Sequence, residues 1–195
     1  MSASILDSVV NSFGASVLEN LGKRLGISPA VVRAATPMIV GLVLSGIKRL
    51  TTRDGAADAY QSLMNGASNL VGSQDMDRFL QQTDPAKSTG LLDILTGDNS
   101  IEHVATNFAH KSGLDPQIDS DVAAKMLGMM TPAVLHQVDR YAKDHGLDMS
   151  GIASAIDDSS DALKSLGNLQ SILDDSPGIA DDIMRGLSKL SLIHI

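Results

Sequence analysis

The side chains most able to do chemistry are five histidines and 23 carboxylates; the chain has no cysteine, so thiolate catalysis and Cys-based metal sites are excluded. His103 and His110 stand seven residues apart, which on a helix puts them on one face about two turns apart, with Glu102 alongside. Helical zinc pairs use i,i+4 or closer spacing, so this pattern predicts no metal site. His136 and His145 flank the approach to a predicted helix corner and read as exposed or capping. Asp157-Asp158, Asp174-Asp175 and Asp181-Asp182 could suggest Ca²⁺, but none belongs to an alternating Asp loop with its glycine and distal glutamate. No nucleophile elbow, P-loop or dinucleotide glycine fingerprint occurs. The expectation is a non-enzyme without metal or cofactor.

A second candidate is electrostatic. Residues 1–53 carry six basic and two acidic side chains, whereas the chain as a whole has a net charge of −8. Residues 21–34, LGKRLGISPAVVRA, have the form of a DNA-reading helix–turn–helix. In such a motif Lys23 and Arg24 would contact phosphates, and Arg33 would approach the major groove. Against this, the second helix offers few polar side chains for base edges and runs on into an apolar stretch.

The elements that would position these residues are helical. Ala, Leu and Met are abundant, aromatic residues make up only 3%, and 21 of the 23 acids are Asp, which favours helix starts over helix interiors. Residues 17–29 (VLENLGKRLGISP) and 104–116 (VATNFAHKSGLDP) align without a gap at an offset of 87, sharing Val17/Val104, Asn20/Asn107, Gly26/Gly113 and Pro29/Pro116. A looser third copy begins at Tyr141 and contains Gly146-Leu147-Asp148. Each reads as a helix stopped by a left-handed Gly, an apolar plug, and a Ser or Asp (Ser28, Asp115, Asp148) capping the next helix. Pro29 and Pro116 are placed at N1. In the second copy an insertion, Gln117-Ile118-Asp119, precedes Ser120 as the predicted cap of the long helix.

Each long helix contains Thr-Pro, at Thr36-Pro37 and Thr131-Pro132. A mid-helix proline removes one i→i−4 bond and kinks the helix, so the carbonyls of Arg33 and Gly128 should lose their usual partners. The apolar run 34–47 is 14 residues, short of the roughly 18 to 20 needed to span a bilayer, and reads as a buried central helix. Ile5, Val9, Phe13, Val17 and Leu21 recur at i+4 and predict an amphipathic N-terminal helix. Residues 56–80 read as helix broken near Gly66 and Gly72, and 83–90 (TDPAKSTG) as a linker. Asp98-Asn99-Ser100 should open a helix, with Asn99 and Glu102 in capping-box spacing. The nine methionines, Met126, Met129 and Met130 among them, are expected to fill the core. The resulting organisation is an N-terminal helical repeat (1–82), a second repeat packed with it (91–157) and a helical tail (158–195). Residues 190–195 resemble a translated sequencing adapter, which keeps His194 out of any chemical argument.

The paired Gly-apolar-Ser/Asp-Pro corners, each followed by an apolar Thr-Pro helix, resemble the YidB-like bacterial proteins, domain of unknown function nine-three-seven, over about residues 5–156. The resemblance implies an all-α fold with a homeodomain-like helix–turn–helix element and no established activity or site residues. With an N-terminus unlike a secretory signal, the expected protein is a cytoplasmic, multihelical module for protein interaction or oligomerisation, its partner unspecified. The alternatives are DNA binding through Lys23, Arg24 and Arg33, and binding of an apolar ligand or membrane surface.

Overall fold

A computed structural model describes residues 3–97, 101–114 and 116–166, and these are all-α. The described helices are α1 (Ile5–Ser12), α2 (Ala15–Leu25), α3 (Pro29–Thr51), α4 (Ala56–Val71), α5 (Met76–Gln82), α6 (Thr89–Thr96), α7 (Ile101–Lys111), α8 (Ser120–His145), α9 (Met149–Asp158) and α10 (Ser160–Ser165), with a 3-10 turn at Pro85–Ser88. The long helices α3 and α8 touch and form the centre. Around them, α2 packs on α3, α7 on α8, α1 and α4 on both, and α9 on α3. Ile39, Leu44 and Ile47 of α3 are fully buried, as are Met126, Leu127 and Met130 of α8; of the methionines among the described residues, Met38, Met64, Met126, Met129 and Met130 are in the core, while Met76 and Met149 are half-buried. Burying each such side chain contributes about 1.5–3 kcal/mol before its ordering cost.

The corners have the geometry their residues dictate. Gly26, Gly113 and Gly146 all have φ between 62° and 72°. After Gly26, the Ile27 N–H donates back to the Gly22 carbonyl at 3.0 Å, and Ser28 Oγ accepts from Val31 N–H at 3.3 Å. After Gly146, the Leu147 N–H reaches the Ala142 carbonyl at 2.8 Å, and Asp148 caps α9 through Gly151 N–H at 2.8 Å. The second corner departs from expectation. Its helix is capped by Asp119, which accepts from Val122 N–H at 2.8 Å, so Ser120 is the first helical residue and not the cap. The insertion moves the helix start, and Pro116 lies in the preceding turn instead of at N1. Asp115 and residues 98–100 lie outside the described residues.

Three other expectations change. The i+4 stripe from Ile5 to Leu21 spans two helices, because the chain turns at Phe13-Gly14 while keeping Phe13 and Val17 in the core. Helix α4 runs unbroken through Gly66, where a Cβ would stand 2.7 Å from Leu91 Cδ2; that glycine admits α6 and does not end the helix. Helix α3 opens at the Ser28 cap as expected and runs 23 residues, past the 14-residue apolar run, so it is long and apolar enough to cross a membrane, yet 72% of its apolar window is buried inside the protein. Residues 167–195, including most of the expected tail helices and the terminal hexapeptide, lie outside the described residues.

The expected linker is the largest correction. Pro85–Ser88 packs directly on α8, and Ser88 is 1% exposed. A Cβ at Gly128 would meet the Pro85 carbonyl oxygen at 2.6 Å, so only glycine lets the turn approach. The Ser88 hydroxyl donates to the Gly128 carbonyl, the acceptor that Pro132 deprives of its intrahelical partner. At the other Thr-Pro, the Thr36 hydroxyl donates to the Val32 carbonyl at 2.8 Å, and the freed carbonyl belongs to exposed Arg33.

Ser88→Ala should cost about 1–3 kcal/mol by leaving a buried acceptor unmade. In a Pro132→Ala background the new residue's N–H serves the Gly128 carbonyl, so the same change should cost at least about 1 kcal/mol less. Urea unfolding of the four proteins gives the coupling, and strictly additive losses would refute this joint.

Candidate binding site

The basic residues singled out by sequence are dispersed by the fold. Arg24 lies across the C-terminal end of α5: its guanidinium donates to the carbonyl of Leu80 and, at 2.5 Å, to that of Thr83. These acceptors are among the last carbonyls of a helix, where a cation is favoured. Lys23 pairs with Glu19 one turn back at 3.0 Å, both exposed. Arg33 is exposed, but the surrounding outer face of α3 carries Ala30 and Ala34, neither able to read a base edge. At this end of the molecule the Ser28 N–H donates to Gln117 Oε1 at 3.3 Å, so the insertion in the second copy ties one corner to the other.

Among the described residues no group of three or more His, Asp or Glu is placed to hold an ion, and Asp174-Asp175 and Asp181-Asp182 lie outside them. Many aspartates serve the helix starts instead, with Asp75, Asp84, Asp119 and Asp148 accepting backbone N–H bonds as caps. His145 does take a capping role, its Nδ1 lying 2.9 Å from the Tyr141 carbonyl and its ring stacked on Tyr141 at 4.1 Å.

His136 does not. It is half-buried and lines a cleft of about 520 Å³ built from three distant parts of the chain. Ser8, Val9 and Ser12 come from α1, Val71 to Met76 from the α4–α5 connection, and His136, Gln137, Arg140, Tyr141, Asp144 and His145 from α8. His136, Arg140 and Asp144 follow at i+4 and form one stripe down α8. The Nδ1 atom of His136 is buried and without a hydrogen-bond partner. A proton there would be an unsatisfied buried donor, which favours the neutral ring with its hydrogen on Nε2. Arg140 and Asp144 form no ion pair with each other within 4.0 Å; this Arg-before-acid order is the weaker one on a helix. Asp75 is engaged as the α5 cap, accepting from Arg78 N–H at 2.9 Å.

A neighbouring cleft of about 310 Å³ holds Tyr60, Asn65, Asp139 and Lys143. Asp139 and Lys143 pair there at 2.5 Å, and burial together with Asp139 pushes the Tyr60 phenol up to about 12, so it remains protonated. Sequence reasoning overlooked both clefts. Its available signal was the i+4 stripe of His136, Arg140 and Asp144, whose facing elements lie 60 residues or more before it in the chain.

Two measurements follow. Arg24→Ala should destabilise the fold by about 1–3 kcal/mol through the two orphaned carbonyl contacts, and Arg24→Lys should recover only part of this, because a lysine cannot fork to both; neutral variants in urea unfolding would show that Arg24 does not hold α5. Burial lowers the pKa of His136 from its ordinary 6.5, with Asp139 opposing and Arg140 and Lys143 adding to the depression. As pH falls through 6.5 the unfolded chain takes up a proton that the folded chain still refuses. The stability due to neutral His136 is thus complete above 6.5 and declines below it until the folded value is reached. Between about pH 7 and about pH 5 the parent should therefore lose more stability than His136→Gln, with the His136 NMR midpoint below the ordinary value.

No curated protein and no solved structure matches the chain. One family model matches twice, over residues 7–140 and again over 118–191, the second match starting just before α8 and taking in the third corner. Together the matches cover most of the chain, which therefore belongs to the family described as bacterial protein of unknown function (DUF937).

Proposed function

We propose that this protein is a non-catalytic protein-interaction module whose contact surface is the cleft along the second half of α8. The observation that carries this reading is the composition of that concave surface: Arg140, Tyr141 and His136 side by side, with the Arg140 guanidinium in no ion pair among the described residues. Arg and Tyr in partly desolvated depressions dominate the energetics of protein interfaces. A hydrolytic reading has less support, because the Ser12 hydroxyl donates to the Val9 carbonyl at 2.6 Å and not to a histidine base. Binding of DNA is weakened by the engagement of Arg24 and Lys23 within the fold. An apolar-ligand or membrane reading is weakened by the surface, since among the described residues every Leu, Ile, Val, Met and Phe is buried or half-buried.

A photoreactive phenylalanine analogue replacing Gln137, in the cleft, should yield a discrete cross-linked species in cells, whether a heteromer or a homodimer. The same group replacing exposed Ser62 of α4 should not. Arg140→Glu should abolish the product, because reversing a central charge typically costs an interface well over tenfold in affinity. Equal cross-linking from both positions, or none from position 137, would overturn the proposal.

A further inference from the structure

We infer that the α8 cleft recognises a carboxylate joined to an apolar body, held between His136 Nε2 and the Arg140 guanidinium; this rests on the cleft being the contact surface. Of the two His136 nitrogens only Nδ1 is buried and unpartnered, so Nε2 is the nitrogen left accessible, and it meets no hydrogen-bond partner among the described residues. With Nδ1 unable to carry a proton cheaply, Nε2 presents an N–H donor. One turn further along the same helix, Arg140 presents a forked donor set that meets no acceptor among the described residues. Two such donors at i,i+4 match the two oxygens of a carboxylate.

The rest of the lining narrows the class. Asp75 and Asp144 are the two acids in the cleft wall, and against the single cation Arg140 they leave it with a net negative charge. The surplus carboxylate repels a dianionic phosphate about twice as strongly as a monoanion, so a monoanion seated directly against Arg140 and away from Asp75 is the better match. Val9 and Val71, each 1% exposed, lie at the base with half-buried Met76, an apolar floor for the carbon skeleton behind the carboxylate. The stacked rings of Tyr141 and His145 make a rigid side wall. The carboxylate can come from a chain end or from an Asp or Glu side chain, and the test separates the two.

Isothermal titration of the full chain would use three N-acetylated probes. These are Ala-Leu-Leu with a free C-terminal carboxylate, the same peptide as its C-terminal amide, and Ala-Glu-Leu as the amide. Binding of the first at least about tenfold tighter than the second supports a chain-end carboxylate, and the same advantage for the third supports a side chain. Either preference should vanish in Arg140→Gln and persist in Lys87→Gln, an exposed cation that lines neither cleft; circular dichroism checks that both variants fold. Equal binding of all three probes, no heat from any up to about 10 mM, or retained preference in Arg140→Gln would overturn the inference. If the position-137 cross-link is present while no carboxylate preference is found, the contact surface stands and its carboxylate chemistry falls. If the cross-link is also absent, both fall.

Discussion

A proline in the middle of a buried helix leaves a carbonyl that must find a proton, and in this protein that requirement joins the two halves of the chain. Pro132 sits in α8, the helix at the centre of the core, and the deprived acceptor is Gly128. The acceptor is met by Ser88, forty residues earlier, on a 3-10 turn that reaches α8 because Gly128 has no side chain. The segment expected to be a linker is thereby drawn into the core. From that placement follow the positions of α5 before the turn, where Arg24 closes the helix end, and α6 after it, whose Leu91 occupies the space left by Gly66.

The two corners show how similar local chemistry can serve different ends. Both end a helix on a left-handed glycine and lead into a long Thr-Pro helix, but only the first continues at once through Ser28 and Pro29. In the second, the inserted Gln117-Ile118-Asp119 postpones the helix, lets Ile118 join the core and sends Gln117 across to the Ser28 amide. The positive charge of the first corner is likewise put to structural use. Arg24 completes a helix end and Lys23 answers Glu19, so residues with the form of a phosphate-binding pair are absorbed by folding.

The cleft has the opposite character. Along α8 the stretch 126–135 is buried on all sides, while the stripe of His136, Arg140 and Asp144 emerges where the core ends. His136 is half-buried there, whereas Arg140 and Asp144 are exposed, and those two form no ion pair with each other. Such groups are open to an incoming partner while the helix already fixes their backbone positions.

Much of this was legible in the residues. Helix content, the first and third corners, most of the buried methionines, the role of aspartate as cap and the unpartnered Gly128 carbonyl all follow from local rules: backbone conformations open to glycine, hydrogen bonds short side chains make to nearby amides, and the donor that proline lacks. Those rules act over a few residues, so a single sequence carries them in full. What answers the Gly128 carbonyl, whether Gly66 breaks a helix, whether Arg24 faces a phosphate or a helix end, and whether His136 caps or lines a cleft were decided by tertiary packing. Each depends on which surface of a distant helix comes to lie opposite, and that is set by the sum of buried area over the whole core rather than by the residue's own neighbours in the chain.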